Sequence, residues 1–279
     1  MPELPELETI RRQLSGHLPC LLGEVTFSKH LPSFFKAKVP KACAALSFKQ
    51  AMKFLAQHPT VLRLERPGKF LRFDFAEGYS LISHLGMSGG WRLSSGPCLA
   101  KHCHLSWQSA EGSFWSYVDP RRFGQMALIP TENWSYYPHG VDCLAPDFTP
   151  AYLQQVFAAH PRSVLKPFLL GQQEIAGIGN YLACEICAKA KVLPTTLLQD
   201  LTPGQIKAIH QATLFCINQA IKRQGTTFGS GYRDALGAKG QGKSVLKVFQ
   251  QSHCGRCGHT VKKITLQGRG TYYCPQCQH

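Results

Sequence analysis

The chain has 279 residues and a formal net charge of +15, from 31 Lys and Arg against 16 Asp and Glu. That length allows two domains with cores of their own, and the cationic excess selects a polyanionic partner, nucleic acid before an acidic membrane surface. No apolar run approaches the ~20 residues that cross a bilayer, and the first fifteen residues carry charges where a signal peptide has an apolar core. The expected location is therefore the cytoplasm, in association with the nucleoid.

The chain opens Met1-Pro2-Glu3-Leu4-Pro5-Glu6. Proline after the initiator permits removal of Met1 and would leave a secondary amine at Pro2. An α-amino group has a pKa of roughly 8, so part of it is neutral near pH 7 and able to attack an electrophilic carbon. Taken alone, a Met-Pro start is only a processing signal. Residues 3 to about 14 predict a helix: Glu3, Glu6 and Glu8 suit the positive end of its dipole, and Leu7, Ile10 and Leu14 recur on one face.

From about 22 to 130 the pattern is mostly strands. In Lys69–Phe75, Leu71, Phe73 and Phe75 fall on one face and Phe70, Arg72 and Asp74 on the other, the alternation of a half-buried strand. Tyr79–Leu85, Cys103–Gln108, Ser113–Val118 and Gln125–Ile129 are further runs punctuated by Gly and Pro. A helix over Ser47–Leu55 interrupts them. Many short strands predict an antiparallel sandwich or barrel. Residues 131–148, with Pro130 before them and Pro138, Gly140 and Pro146 inside, read as a linker.

After it the period turns helical. Thr149-Pro150 starts a helix to about His160, a short helix follows Ser163, Gly177–Asn180 forms a tight turn, and Tyr181–Ala190 and Thr202–Arg223 are helices. Six glycines between 225 and 246 follow no period and predict a mobile loop.

The last thirty residues carry the sharpest signal. Cys254-Gly255-Arg256-Cys257 is separated by sixteen residues from Cys274-Pro275-Gln276-Cys277. Two such knuckles supply four thiolates to one zinc and leave no coordination position for substrate, so the metal is structural. The stretch Val261–Tyr273 between them suits a hairpin turning at Gln267–Gly270. From Lys222 onward there are ten Lys and Arg and one acid, Asp234, which fits a hairpin with Arg269 at its tip inserted into a nucleic-acid groove. Cys184 and Cys187 form another C-x-x-C, read as helix packing.

Six motifs occur together: PELPELET at 2–9, PGKFL at 67–71, HLGMSG at 84–89, DPRRFG at 119–124, GIGNYLACE at 177–185 and GRGTYYCPQCQ at 268–278. In this order and over nearly the whole length, the chain resembles the bacterial formamidopyrimidine-DNA glycosylases, enzymes of base-excision repair. The resemblance implies that Pro2 is the nucleophile, Glu3 the acid/base and Glu6 a supporting carboxylate. Lys69 would contact phosphate beside the lesion. Met87, Arg121 and Phe123 would fill the gap left by a flipped nucleotide, and His84, His102, Lys166, Asn180 and Arg269 would contact DNA. It implies damaged double-stranded DNA as partner, one structural Zn2+, a monomer, and β,δ-elimination that leaves a one-nucleoside gap. Such roles fit the physics, because a base inside a duplex hides its sugar C1′ until it leaves the stack.

The expected fold is α+β and multidomain: a catalytic antiparallel β-sandwich with a leading helix over 1–130, a linker over 131–148, and a helix–two-turns–helix DNA-binding domain over 149–224. A glycine-rich lesion-recognition loop over 225–247 and a zinc-finger hairpin over 248–279 complete it, with DNA in the cleft between domains. Residues 30–60 look longer than the family's connection, and Lys239, Lys243 and Lys247 follow no family pattern. HLGMSG favours oxidised purines, 8-oxoguanine and formamidopyrimidines, over the oxidised pyrimidines of the sister Nei-like branch. A non-catalytic DNA-binding relative, or a redox protein using Cys184 and Cys187, are the readings of other classes.

Overall fold

The computed structural model describes residues 2–36, 39–137, 139–229 and 231–279. The chain divides into two compact units, Met1–Pro138 with Arg223–Gln241, and His139–Lys222 with Gly242–His279.

The first unit begins with helix α1 (Leu4–Ser15). Its apolar stripe of Leu7, Ile10 and Leu14 is buried in the core. Eight strands follow: β1 (Cys20–Phe27), β2 (Thr60–Glu65), β3 (Phe70–Phe75), β4 (Tyr79–His84), β5 (Gly90–Ser94), β6 (Cys103–Ser109), β7 (Phe114–Val118) and β8 (Gln125–Pro130), with helix α2 (Phe48–Leu55) between β1 and β2. They hydrogen-bond in the order β5-β7-β6-β1-β2-β3-β4-β8, with every pairing antiparallel.

Strand β1 joins the halves. Cys20 and Leu21 pair with β2, whereas Leu22 to Phe27 pair with β6, with a register shift between Leu22 and Val25. A bulge of this kind bends a strand and lets it change partners. The halves then face each other: Phe73 of β3 packs on Trp91 of β5 at 4.8 Å and on Trp107 of β6 at 6.0 Å between ring centroids. This is the sandwich that the alternation predicts, and burying each such ring stabilises it by roughly 1.5–3 kcal/mol. Within 30–60, the chain makes 3-10 turns at Leu31–Lys36 and Lys41–Cys43 before α2. Ser47 caps α2 by accepting from the Gln50 amide, and Phe34, Ala51, Phe54 and Leu55 enter the core.

The second unit contains β9 (Val141–Asp142), α3 (Pro150–Ala159), α4 (Leu165–Leu170), β10 (Ile175–Ala176), α5 (Asn180–Ala190), α6 (Pro203–Lys222), β11 (Lys262–Leu266) and β12 (Arg269–Tyr273). Thr149 caps α3 through its hydroxyl, which accepts from Tyr152 N at 3.1 Å. Strands β11 and β12 form the hairpin between the cysteine knuckles.

Two segments divide differently from the sequence reading. Of the stretch 131–148, Thr131–Tyr136 is a 3-10 turn of the first unit, and Val141 and Asp142 pair in parallel with Ile175 and Ala176 in the second. The glycine-rich stretch divides after Gln241. Its first part is closed by Gln241 N donating to Arg223 O at 2.8 Å and by a bridge from Thr226 to Gln241. Ser230, within it, lies outside the described residues.

Candidate active site

Glu3 caps α1 in an extended conformation, with its carbonyl accepting the first helical bond from Leu7 N at 3.2 Å. Its own N–H donates to Glu6 Oε2 at 2.8 Å. The second oxygen of Glu6, Oε1, accepts from Thr226 N at 2.7 Å. One carboxylate therefore fastens both the chain terminus and the start of the 223–241 segment. Gly225 makes room for it: its φ is +83°, and an added Cβ would sit 2.8 Å from the Tyr232 ring and 3.0 Å from Glu6 Cγ. Pro2, Glu3 and Glu6 are all buried, the two acids only 2% and 1% exposed. Glu6 is a positioning group, and Glu3 is the carboxylate next to Pro2. Met1 lies outside the described residues.

Helix α1 also holds the lysine hairpin. Glu8 accepts from Arg11 Nη2 at 2.8 Å, Arg12 Nε at 2.7 Å and Arg66 Nε at 3.1 Å. Burial pushes its carboxyl up, but hydrogen bonds from Arg11 and Arg12 and the charges of Arg11 and Arg66 more than offset this and bring it down to about 2. Arg66 Nη1 in turn donates to Gly68 O at 2.9 Å, inside the turn that leads to Lys69. Across β3 and β4, Phe70 pairs with His84, their rings 5.2 Å apart. Burial, with a smaller push from the Lys69 ammonium, lowers His84 to about 4. His84 is therefore neutral at pH 7 and offers hydrogen bonding rather than charge.

Met87, Arg121 and Phe123 stand on two loops that Asp119 ties together. Asp119 Oδ1 accepts from Ser88 Oγ at 2.6 Å and Arg121 N at 3.3 Å, and Oδ2 accepts from Gly124 N at 2.8 Å. The loops touch at Gly86, where a Cβ would lie 2.4 Å from the Phe123 carbonyl. Met87 is 40% exposed and Phe123 52%, with the Arg121 guanidinium 4.8 Å from the Phe123 ring centre. Two apolar side chains and a cation thus project where a core would have buried them. His102 joins the same corner, its carbonyl accepting from Asp119 N at 3.0 Å.

In the second unit, Lys166 Nζ donates to Asn180 Oδ1 at 2.8 Å, and Asn180 Nδ2 donates to Gly270 O at 3.1 Å. Asn180 opens α5 after a turn containing Gly177 at φ +111°. Lys166, expected to contact DNA, is instead 0% exposed and orients the Asn180 amide, while Arg269 is exposed at the hairpin tip. The tip turn is Gln267-Gly268, both at positive φ, between the paired Leu266 and Arg269. This is the two-residue geometry that matches strand twist.

The sulfurs of Cys254, Cys257, Cys274 and Cys277 all lie within 4.8 Å of one another. A tetrahedral zinc with Zn–S bonds of ~2.3 Å needs sulfur pairs roughly 3.8 Å apart, so the set fits one structural zinc with small adjustments. Glu185 holds the approach to this module, accepting from the backbone N–H groups of Lys247, Val248 and Phe249 at 2.8–2.9 Å. Cys184 and Cys187 are buried in α5, and burial pushes the Cys187 thiol far up. The Cys184 sulfur accepts from Tyr272 N at 3.5 Å. The pair packs rather than presenting a nucleophile.

The sequence matches the formamidopyrimidine-DNA glycosylase N-terminal domain over residues 1–126, the formamidopyrimidine-DNA glycosylase H2TH domain over 139–230, and the zinc finger found in FPG and IleRS over 252–279. The chain belongs to the formamidopyrimidine-DNA glycosylase family. It is 34% identical to the formamidopyrimidine-DNA glycosylase of Desulforamulus reducens, covering 100% of this chain and 99% of that one. It is 35% identical to the enzyme of Geobacillus kaustophilus, covering 100% of both. Among solved structures it is similar, over 100% of both chains, to Lactococcus lactis Fpg in complex with abasic-site DNA, with TM-score 0.85 and 30% identity. A complex of MutM with carbocyclic 8-oxo-G DNA matches with TM-score 0.86 and 29% identity over the same coverage. The chain is thus a DNA glycosylase of base-excision repair, in a family that also carries apurinic/apyrimidinic lyase activity, and its four cysteines hold one zinc. No helix among the described residues is long and apolar enough to cross a membrane.

The sequence placed Glu8 only at the positive end of the α1 dipole and pointed to no role for Arg66, Asp119 or Glu185. Three of the four lie inside the motifs above, Glu8 within PELPELET, Asp119 opening DPRRFG and Glu185 closing GIGNYLACE. A charged residue fixed within an otherwise apolar or basic motif is a signal for a buried acceptor of several N–H groups.

Proposed function

We propose that the chain excises oxidised purines, 8-oxoguanine and formamidopyrimidines, from duplex DNA through a Schiff base on Pro2. The observation that carries this is the doubly engaged Glu6, which orders the terminus beside Glu3. The Pro2 nitrogen, freed of Met1, attacks C1′ and the damaged base departs with its bonding electrons and a proton. Glu3 protonates the sugar ring oxygen, the ring opens, and the nitrogen lone pair completes an iminium. The iminium acidifies the C2′ proton. Its removal expels the 3′ phosphate, and a second elimination expels the 5′ phosphate.

Lys69 and His84 serve the phosphates beside the lesion, one as a charge and the other as a neutral hydrogen-bonding ring. Met87, Arg121 and Phe123 fill the vacated stack, an apolar wedge with one cation, and His102 adds a contact from the same corner. Asn180, oriented by Lys166, and Arg269 bind the backbone from the second unit. Residues 1–130 form the catalytic domain, 149–224 the helical DNA-binding domain, and the part of the glycine-rich stretch that belongs to the first unit, 225–241, the segment over the extruded base. The protein acts as a monomer at the nucleoid.

A panel of duplexes tests this reading: 8-oxoguanine opposite cytosine, a formamidopyrimidine, an oxidised pyrimidine and an abasic site. Release from the first two should dominate, and Glu3→Gln should lower it by about 10²–10⁴-fold, the usual weight of a general acid. The pyrimidine arm is needed because one solved relative at 30% identity is a Lactococcus lactis Fpg complex with oxidised-pyrimidine DNA. Preferential release of the pyrimidine would replace the purine reading. No release from any duplex would leave a DNA-binding relative.

A further inference from the structure

Helix α1 holds the 223–241 segment at two points. Glu6 grips its base through Thr226. Seven residues on, Gln13 grips its tip: Gln13 Nε2 donates to Asp234 Oδ2 at 2.8 Å, and Ala235 N donates to Gln13 Oε1 at 2.8 Å. Residues at i and i+7 share one helix face about 10.5 Å apart along the axis, so a rigid rod spaces the two grips. The same rod begins at Glu3, next to Pro2.

The tip is built to receive this clamp. Asp234 Oδ1 accepts from Leu236 N at 3.1 Å and Ala238 N at 2.8 Å, closing a tight turn, which leaves Oδ2 for Gln13. From β5, Leu93 N donates to Ala235 O at 2.8 Å and Arg92 Nη1 donates to Arg233 O at 3.2 Å. Tyr232 and Ala235 are buried in the sandwich core. The segment read from its glycines as mobile is therefore held at both base and tip.

We infer that Gln13 is a specificity-determining positioning residue: by clamping Asp234 and Ala235 it fixes the conformation in which the 223–241 segment receives an extruded base. This rests on the proposed role of that segment. The amide is suited to the task because it donates to a carboxylate and accepts from a backbone N–H at once. Once the base has gone, the segment has nothing to recognise. The clamp should thus matter for base release and not for strand incision at a ready-made abasic site.

A reciprocal exchange tests it. Gln13→Glu places a carboxylate against Asp234 Oδ2 and removes the donor. Asp234→Asn in that background restores the pattern with the polarity reversed, Asn donating and Glu accepting, while Glu still accepts from Ala235 N. The readouts are single-turnover release of 8-oxoguanine, incision of an abasic duplex, and hydrogen exchange of the Ala235 and Ala238 amides. Gln13→Glu should slow base release about tenfold, the kinetic weight of a lost charge-assisted hydrogen bond. Abasic incision should stay within about twofold, and exchange at the two amides should rise about tenfold. The double variant should recover base release and amide protection, with abasic incision again within about twofold.

Equal losses in base release and abasic incision would overturn the inference, as would unchanged amide protection in Gln13→Glu. So would a double variant no better than the single. Wild-type protein that releases no purine would remove the purine reading separately. The exchange arm then decides the clamp by itself, unchanged protection again overturning it.

Discussion

Gln241 and Gly242 are neighbours in sequence, yet the segments on either side are fixed in different ways. The segment before them, 223–241, is held by groups of the first unit: the Glu6 side chain at the base, and the Gln13 and Arg92 side chains and the Leu93 backbone N–H at the tip. The segment after them, 242–279, is held in the second unit by Glu185, by the Asn180 amide on Gly270 and by the cysteine cluster. Each is anchored near its start by a buried glutamate from outside it that accepts backbone N–H groups. Beyond that they diverge. One relies on hydrogen bonds, among them those to the Glu6 and Asp234 carboxylates, worth about 1–3 kcal/mol apiece. The other adds a metal whose binding free energy is of order 10 kcal/mol in isolated zinc modules. On the proposed function, a hairpin that keeps its shape against a charged backbone gains from the second device, and a segment that admits a base gains from the first.

Removing the metal should break the comparison most completely. Chelation should abolish DNA binding while the aromatic signal of the sandwich persists, since Trp91, Trp107 and Trp115 lie in the first unit. Circular dichroism and an affinity measurement on the same sample check this, and the intact protein should contain about one zinc per chain.

Exchanging the two glutamates for glutamine sharpens the contrast. In each case an amide NH2 faces a backbone N–H that a carboxylate oxygen had accepted, at a cost of about 1–3 kcal/mol in stability. Glu6→Gln should slow base release with DNA affinity nearly unchanged. Glu185→Gln should weaken DNA affinity and zinc retention with the rate from bound complex nearly unchanged. Single-turnover kinetics at saturating protein separates the two.

Acid should act unevenly on the first unit. Glu8 has a folded pKa near 2, below its ordinary 4.5, so its contribution is complete above pH 4.5 and is lost as pH falls toward 2. His84 has a folded pKa near 4, below its ordinary 6.5, so the fold favours the neutral ring and stability declines as pH falls from 6.5 toward 4. Denaturant midpoints between pH 7 and 3 should fall in these two stages, and His84→Asn should remove the upper one.

The smallest effect is in salt dependence. Replacing Arg269 by Ala should flatten the slope of log affinity against log salt by about 0.9, one phosphate contact. Replacing His84 should leave the slope at pH 7.5 unchanged, because a neutral ring releases no counterion. Titrations at four salt concentrations suffice.

How much of this was legible in the sequence depended on whether the signal was local. The zinc ligands were, because metal geometry imposes spacing on adjacent residues. So were α1 and β3, whose periods of 3.6 and 2 sit in a short window, with Leu7, Ile10 and Leu14, and Leu71, Phe73 and Phe75, buried as expected. Strand β1 was not read, because its partners change along its length and its burial follows no clean alternation. The order of the 223–241 segment was invisible for another reason. Gln13 and Asp234 are 221 residues apart, and five glycines within the segment mask a turn held by a side chain from elsewhere. Asp119 stood in a quoted motif, yet its task, joining Ser88 to Gly124, exists only once the two loops meet.

The most direct test of the account concerns the terminal amine. Protein shown by intact mass to lack Met1 is mixed with a duplex carrying 8-oxoguanine opposite cytosine, and borohydride is added. The account predicts a trapped protein–DNA complex, with peptide mapping placing the reduced adduct on the nitrogen of Pro2. The same protein giving no trapped complex on this duplex or on an abasic one, or giving one mapped to a lysine, would contradict it.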